Sequence, residues 1–264
     1  MKKSNLSVLV ALFVSTHSTF CSSKSVPSYY DSEYLGELHN NILDGFSEAN
    51  FPGLCKVDGK KCETDVDIVV KEVNSYITTK FPIITTKFLS DVIPKALENI
   101  KDSESFQDLG KMLSKKLSNM EKISKKDATY MKKNLRNLDK LSQIAKRSEI
   151  EKQREKLNIL LKKAEKVDAS ELAKGAVIMG ITVYMHSFEY WISVELDEKN
   201  PWYQINEERK ANQGEIHGRR MHWFIRDGMG AVSGFITGFL IGGPIGGGIG
   251  AAGGGAAASL IKSR

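Results

Sequence analysis

The chain has 264 residues, 41% hydrophobic and 27% charged, with a formal net charge of +6. These are globular proportions, and they exclude a chain too short to bury a core; the length suits one large domain or two small ones. The charge excess is modest and local, with 19 basic against 11 acidic side chains over residues 101–168. A solvated lysine-rich helical face accounts for it more readily than an anionic lipid or cell-wall polymer, and no nucleic-acid partner is expected.

Residues 1–20 read as an export signal. Lys2 and Lys3 precede an apolar run from Leu6 to Val14, too short to span a bilayer, and Thr16 and Ser18 suit a cleavage site. Cys21 then has three fates: removal with the signal, lipidation, or a free thiol. Lipidation is disfavoured because Phe20 stands where a small residue is wanted. After a polar linker, Leu35, Leu38, Ile42, Leu43 and Phe46 recur at helical spacing over 32–48, and Asn50-Phe51-Pro52-Gly53 closes that helix. Cys55 and Cys62 flank an Asp58-Gly59 turn signal. In an oxidising compartment the two thiols are expected to form a disulfide. A loop so short makes it worth only about 2–3 kcal/mol in the chain-entropy model. With no second pair and no nearby histidine, zinc is not expected there.

A helix is expected from Thr64 to about Phe81, although its β-branched residues would also suit a strand. Another follows over 83–100 with Pro94 inside it. From Ser105 to Lys166 three apolar stripes, Leu109 to Ile123, Met131 to Leu141 and Ile150 to Ala164, read as several amphipathic helices packed as a bundle. A long coiled-coil arm is the alternative. The next helix, capped by Asp168 or Ser170, runs from Leu172 to about Leu196 and is apolar nearly all round at first, so it should be central and buried. Gly175 and Gly180 on it announce close packing by another helix. Seven aromatic residues follow between Phe188 and Phe224, including all three tryptophans; such rings suit a bilayer interface or a core cluster equally.

The C-terminal stretch from Gly228 to Ile261 carries no charge, and glycines fall at every fourth position: Gly230, Gly234, Gly238, Gly242, Gly246, Gly250 and Gly254. Each costs a helix about 1 kcal/mol relative to alanine. The series is tolerable only where a second backbone lies directly against it, which is the packing logic of small residues in membrane helices. Gly242-Gly243-Pro244 breaks the run. Two helices are therefore expected, about 222–241 and 246–262, folded back with their glycine faces in contact. Such a hairpin either enters a membrane or forms the core of the chain's own bundle. Trp223, Arg219, Arg220, Arg226 and Lys262 bracket it as candidate anchors at anionic headgroups.

Catalytic signals are weak. His217 and His222 are off the metal-binding helical spacing, and there is no H-E-x-x-H, G-x-S-x-G or phosphate loop. His186 and Glu189 lie at i, i+3, a pair that is more often a core contact than acid–base machinery. No cofactor and no metal are expected.

Residues Trp223 to Ile261 resemble the glycine-zipper tails of small exported bacterial proteins, particularly secreted proteins of Bacteroidota. They are also similar in style to two-peptide bacteriocins, whose G-x-x-x-G helices pair in target membranes. The resemblance covers the last 40–90 residues, counting Ser187-Phe188-Glu189-Tyr190-Trp191. It implies an exported, non-enzymatic protein that meets lipid or its own copies. The expected organisation is all-α: a signal at 1–20, a lysine-rich helical domain at 21–168, and a buried helix with a glycine-zipper hairpin at 169–264. The alternative is a soluble secreted or periplasmic binding module with the hairpin as core.

Overall fold

A computed structural model describes residues 32–49, 55–58, 61–64, 66–80, 86–143, 149–200, 202–203 and 223–260. The signal, Cys21, Arg219, Arg220, Lys262 and the histidines 217 and 222 lie outside the described residues. The fold is an all-α multi-helix bundle. Its helices are α1 (Ser32–Ala49), α2 (Val66–Lys80), α3 (Thr86–Lys101), α4 (Phe106–Asn119), α5 (Lys125–Gln143), α6 (Ile150–Lys166), α7 (Glu171–Leu196) and α8 (Trp223–Leu260). Between α1 and α2 the chain adds a two-stranded antiparallel ribbon, β1 (Cys55–Asp58) and β2 (Lys61–Thr64). These strands were not anticipated from the sequence, and the expected turn residue Gly59 lies outside the described residues. Their register sets Cys55 opposite Thr64 and Cys62 opposite Val57, so the cysteines are diagonal rather than facing. The cysteine side chains lie outside the described residues, and the disulfide stays an expectation.

The amphipathic stripes form helices with their apolar rows turned inward, except that α4 ends at Asn119, which leaves Met120 exposed and Ile123 outside the helix. Leu109, Leu113 and Leu117 of α4, Met131, Leu135 and Leu138 of α5, and Leu157 and Leu160 of α6 are all buried. α7 is the axis. Its apolar residues face every direction, and α1, α5, α6 and α8 all pack on it. Ser170 caps it, with the hydroxyl accepting from the Ala173 amide, while Asp168 instead meets Lys126 at 2.6 Å.

The expected boundary at 168/169 does not separate two packing units. Ser32–Arg264 form one compact unit, because the helices on the N-terminal side of that boundary bury their stripes against α7 and α8 rather than against one another alone. Asp127 shows how tightly the two sides are joined. It closes a capping box at the start of α5, accepting from the Ser124 amide at 3.1 Å while Ser124 Oγ accepts from its own amide. Its other oxygen accepts the Ser170 amide at the start of α7, at 2.8 Å. Burial alone would raise the Asp127 carboxyl, but these hydrogen bonds hold it below its ordinary value near 3.8. A depressed carboxylate stabilises the fold above the unfolded-state value, and that stability is lost as pH falls through the folded-state value. Asp127→Ala is accordingly expected to cost about 2 kcal/mol in urea unfolding at pH 7. That cost should shrink when the same pair is measured below pH ~4; a cost that does not shrink there would separate it from the carboxylate's charge.

Candidate functional site

α8 is two helices joined at a break. Gly242 (φ −128°, ψ 16°) and Gly243 (φ 65°, ψ −159°) leave helical geometry, and the Gly243 conformation is one that only glycine adopts readily. Pro244, whose missing amide hydrogen is harmless in a first turn, begins the second arm. The chain thus folds at the middle glycine of the ladder, and the remaining six meet in pairs. A Cβ on Gly230 would lie 2.3 Å from the Gly254 carbonyl oxygen, one on Gly234 2.0 Å from that of Gly250, and one on Gly238 2.1 Å from that of Gly246. Ala258 continues the row against Gly230. The glycine faces are in backbone contact, as the spacing demanded.

α7 lies along the first arm as Gly175 and Gly180 foretold. The Phe235 ring fills the place of a Gly175 side chain, and Val232 that of Gly180, while Gly228 sits against the Gly180 carbonyl and Tyr184. The second arm packs against α1, α2 and α3, with Leu35 over Gly248, Ile77 over Gly253 and Val92 against Gly250. Both arms are buried through most of their length, and the exposed part is the tip. Leu240 is 40% and Ile241 42% exposed, and no charge occurs between residues 228 and 260.

At the opposite end of the hairpin, four elements converge on one carboxylate. Asp227 on the first arm is fully buried. It accepts hydrogen bonds from Ser187 Oγ and from Trp191 Nε1 (3.0 Å), both on α7, and from Ser259 Oγ on the second arm. His39 of α1, also fully buried, places Nε2 3.5 Å from Asp227 Oδ2, and its Nδ1 lies 2.9 Å from Asn40 Oδ1. A buried ion of this kind costs several kcal/mol in desolvation unless its lone pairs are filled. Here three hydrogen bonds fill them, two from α7 and one from the second arm.

The group contains serine, histidine and aspartate but not in a nucleophilic order. Both serines donate to the carboxylate, and neither is bonded to the imidazole, so no base is poised to take a hydroxyl proton. The knot is also sealed from solvent. The hollows lined by Glu151, Arg154 and Lys162, and by Asp67, Asn74 and Ser90, are open to solvent and bring no such group together. Among the described residues no cluster of three histidine, cysteine or acidic side chains is placed to hold a metal.

Glu189 accepts from Arg154 Nε at 2.5 Å, and the His186 ring lies over Gly36. The hydrogen bond and charge of Glu189 raise the Arg154 pKa above its already high value. Of the aromatic residues, Phe188, Trp191, Trp202 and Phe224 are buried, which makes them core and not an interfacial belt. Phe106, Tyr184, Phe188 and Phe224 form a chain of ring contacts with centroids 5.0–6.2 Å apart, and Trp202 stands edge-on to Trp191 at 5.7 Å while donating to the Leu43 carbonyl. The Trp223 side chain lies outside the described residues. Arg226 is half-buried beside Asp227 rather than free at a helix end.

Asp227 itself was missed in the sequence, although one signal was present: it is the single acid in the 38 residues of α8. Compared with protein-family models, curated proteins and solved structures, the chain matches none.

Proposed function

We propose that this is an exported, non-enzymatic helical protein that carries its glycine hairpin inside the bundle and presents the hairpin tip to a membrane, in the manner of bacteriocin-like glycine zippers. The observation that carries the reading is the gradient along α8: buried, backbone-to-backbone arms and an uncharged tip with Leu240 and Ile241 exposed. α8 is also long and apolar enough to cross a membrane, a property that a buried core helix shares. Its arms, residues 223–241 and 244–260, would each measure about 25–28 Å. That is slightly short of a ~30 Å hydrocarbon layer, so the arms would enter as a packed pair rather than singly.

α5 supports an anionic lipid surface as the partner. Lys125, Lys126, Lys132, Lys133, Arg136 and Lys140 are all exposed, while both of its acids, Asp127 and Asp139, are buried. Of these cations Lys126 is paired with Asp168, and the rest leave an outer face of net positive charge that suits anionic headgroups.

The test is flotation of the mature protein with vesicles containing anionic lipid, beside a Leu240→Asp/Ile241→Asp variant. The wild type is expected to float. The variant should keep its unfolding free energy within about 0.5 kcal/mol, as exposed sites allow, and float several-fold less. A wild type that stays in the aqueous fraction at every lipid composition overturns the reading. The complete burial of the seam and of the Asp227 knot favours a second reading, in which the hairpin is the permanent core of a soluble interaction module.

A further inference from the structure

We propose that Asp227 is the latch that holds the hairpin in the bundle, and that loss of its charge frees the hairpin to leave as a unit. The proposal rests on the membrane reading above for its purpose, but not for its test. The partners of the carboxylate divide into two groups. Ser187 and Trp191 belong to α7 and His39 to α1, elements that stay behind when the hairpin departs. Ser259 belongs to the second arm and travels with Asp227. Beside the apolar packing and one bond from Asn99 of α3 to Ser233 (3.0 Å), Asp227 is where the polar ties between hairpin and body converge, and it retains one partner once outside. An ionised carboxylate is among the groups hydrocarbon disfavours most, so the charge that closes the latch also opposes entry. Neutralising it acts in the same direction on both.

The surroundings explain why acid alone is an ambiguous probe. α1 presents His39, and also Asp44, which accepts from the Tyr190 hydroxyl at 2.8 Å. α7 presents Tyr190 beside Ser187 and Trp191, and the first arm itself contributes Arg226. His39 and Asp227 face each other across the same contact, so a change of pH does not act on the carboxylate alone. Asp227→Asn removes the charge with little change of shape and isolates the carboxylate's part.

The primary measurement is hydrogen exchange without lipid. In Asp227→Asn, amides of residues 228–238 are expected to exchange at least ten-fold faster than in the wild type, with α4, α5 and α6 unchanged. Acceleration spread evenly over all helices, or none, overturns the latch. Flotation with anionic vesicles supplies the second readout. Ser187→Ala, which removes a donor that stays behind, should float several-fold more than the wild type. Ser259→Ala, which removes the donor that travels, should float no more than the wild type. A merely structural knot would move both serine variants the same way, and that result also overturns the proposal. Selective exchange with no flotation of any variant keeps the latch and rejects the membrane reading.

Discussion

Alanine at Gly234 is expected to destabilise the protein by about 3 kcal/mol, at the upper end of overpacking costs. Helix propensity alone argues the opposite, since replacing a helical glycine with alanine gains about 1 kcal/mol. The seam decides between them. The new Cβ would lie 2.0 Å from the Gly250 carbonyl oxygen and 2.7 Å from its carbon, and both are backbone atoms that no rotamer change can move. The arms would have to separate by more than 1 Å to restore ordinary contact, which opens gaps along the row and forfeits dispersion on both sides. Gly248→Ala is the control on the same hairpin. The atoms nearest its Cβ would all belong to the Leu35 side chain, with the flexible end, Cδ1, at 3.1 Å. That variant should fall between neutral and about 1 kcal/mol more stable. Urea unfolding of the pair reads the difference directly. If Gly234→Ala is as stable as the wild type, the close approach of the two backbones is wrong.

What the sequence made legible was periodic or local. The stripes of α4 to α6, the Ser170 cap, and the break at Gly242-Gly243-Pro244 all depend on residues within a few positions of one another. So does the pairing of glycine faces, because a four-residue ladder folded at its midpoint can meet only itself. Gly175 and Gly180 pointed correctly to the hairpin because a gap on an otherwise apolar helix needs a neighbour to fill it. The aromatic residues after Ser187 were ambiguous for a physical reason: the same amphipathic rings serve an interface and a core, and only their burial distinguishes the two. The boundary at 168 failed because a shift in composition is not a shift in packing. The lysine-rich helices keep their charge outside and turn their apolar faces to one another and to α7 and α8.

The Asp227 knot was the least legible part. Its members, His39, Ser187, Trp191, Asp227 and Ser259, come from α1, α7 and both arms of α8, with no spacing to link them. The single acid of a long helix that is uncharged beyond Arg226 and Asp227 is the one clue that physics offers in advance. Such a charge must be paid for by partners, and those partners are invisible until the chain is folded.

Removing residues 228–264 is expected to abolish cooperative folding, leaving helical far-ultraviolet dichroism without near-ultraviolet signal or a thermal transition. The deleted segment contributes Met229, Val232, Phe235, Ile236 and Leu260, all buried. At about 2 kcal/mol for each large side chain, their loss approaches 10 kcal/mol. That is comparable to the whole stability of an ordinary domain, about 5–15 kcal/mol. The loss falls twice, because α7 loses the cover over Gly175, Gly180 and Tyr184 and cannot close over the gap with polar surface. The same arithmetic constrains any membrane role. A body that cannot hold together without the hairpin cannot release it completely into water: transient opening around Asp227 leaves the other helices folded, and the arms come free only once the tip has met the bilayer. A truncated protein that unfolds cooperatively with a near-native transition would show instead that the helices α1 to α7 form their own core. The hairpin would then be a detachable appendage, and its departure would need no membrane to receive it.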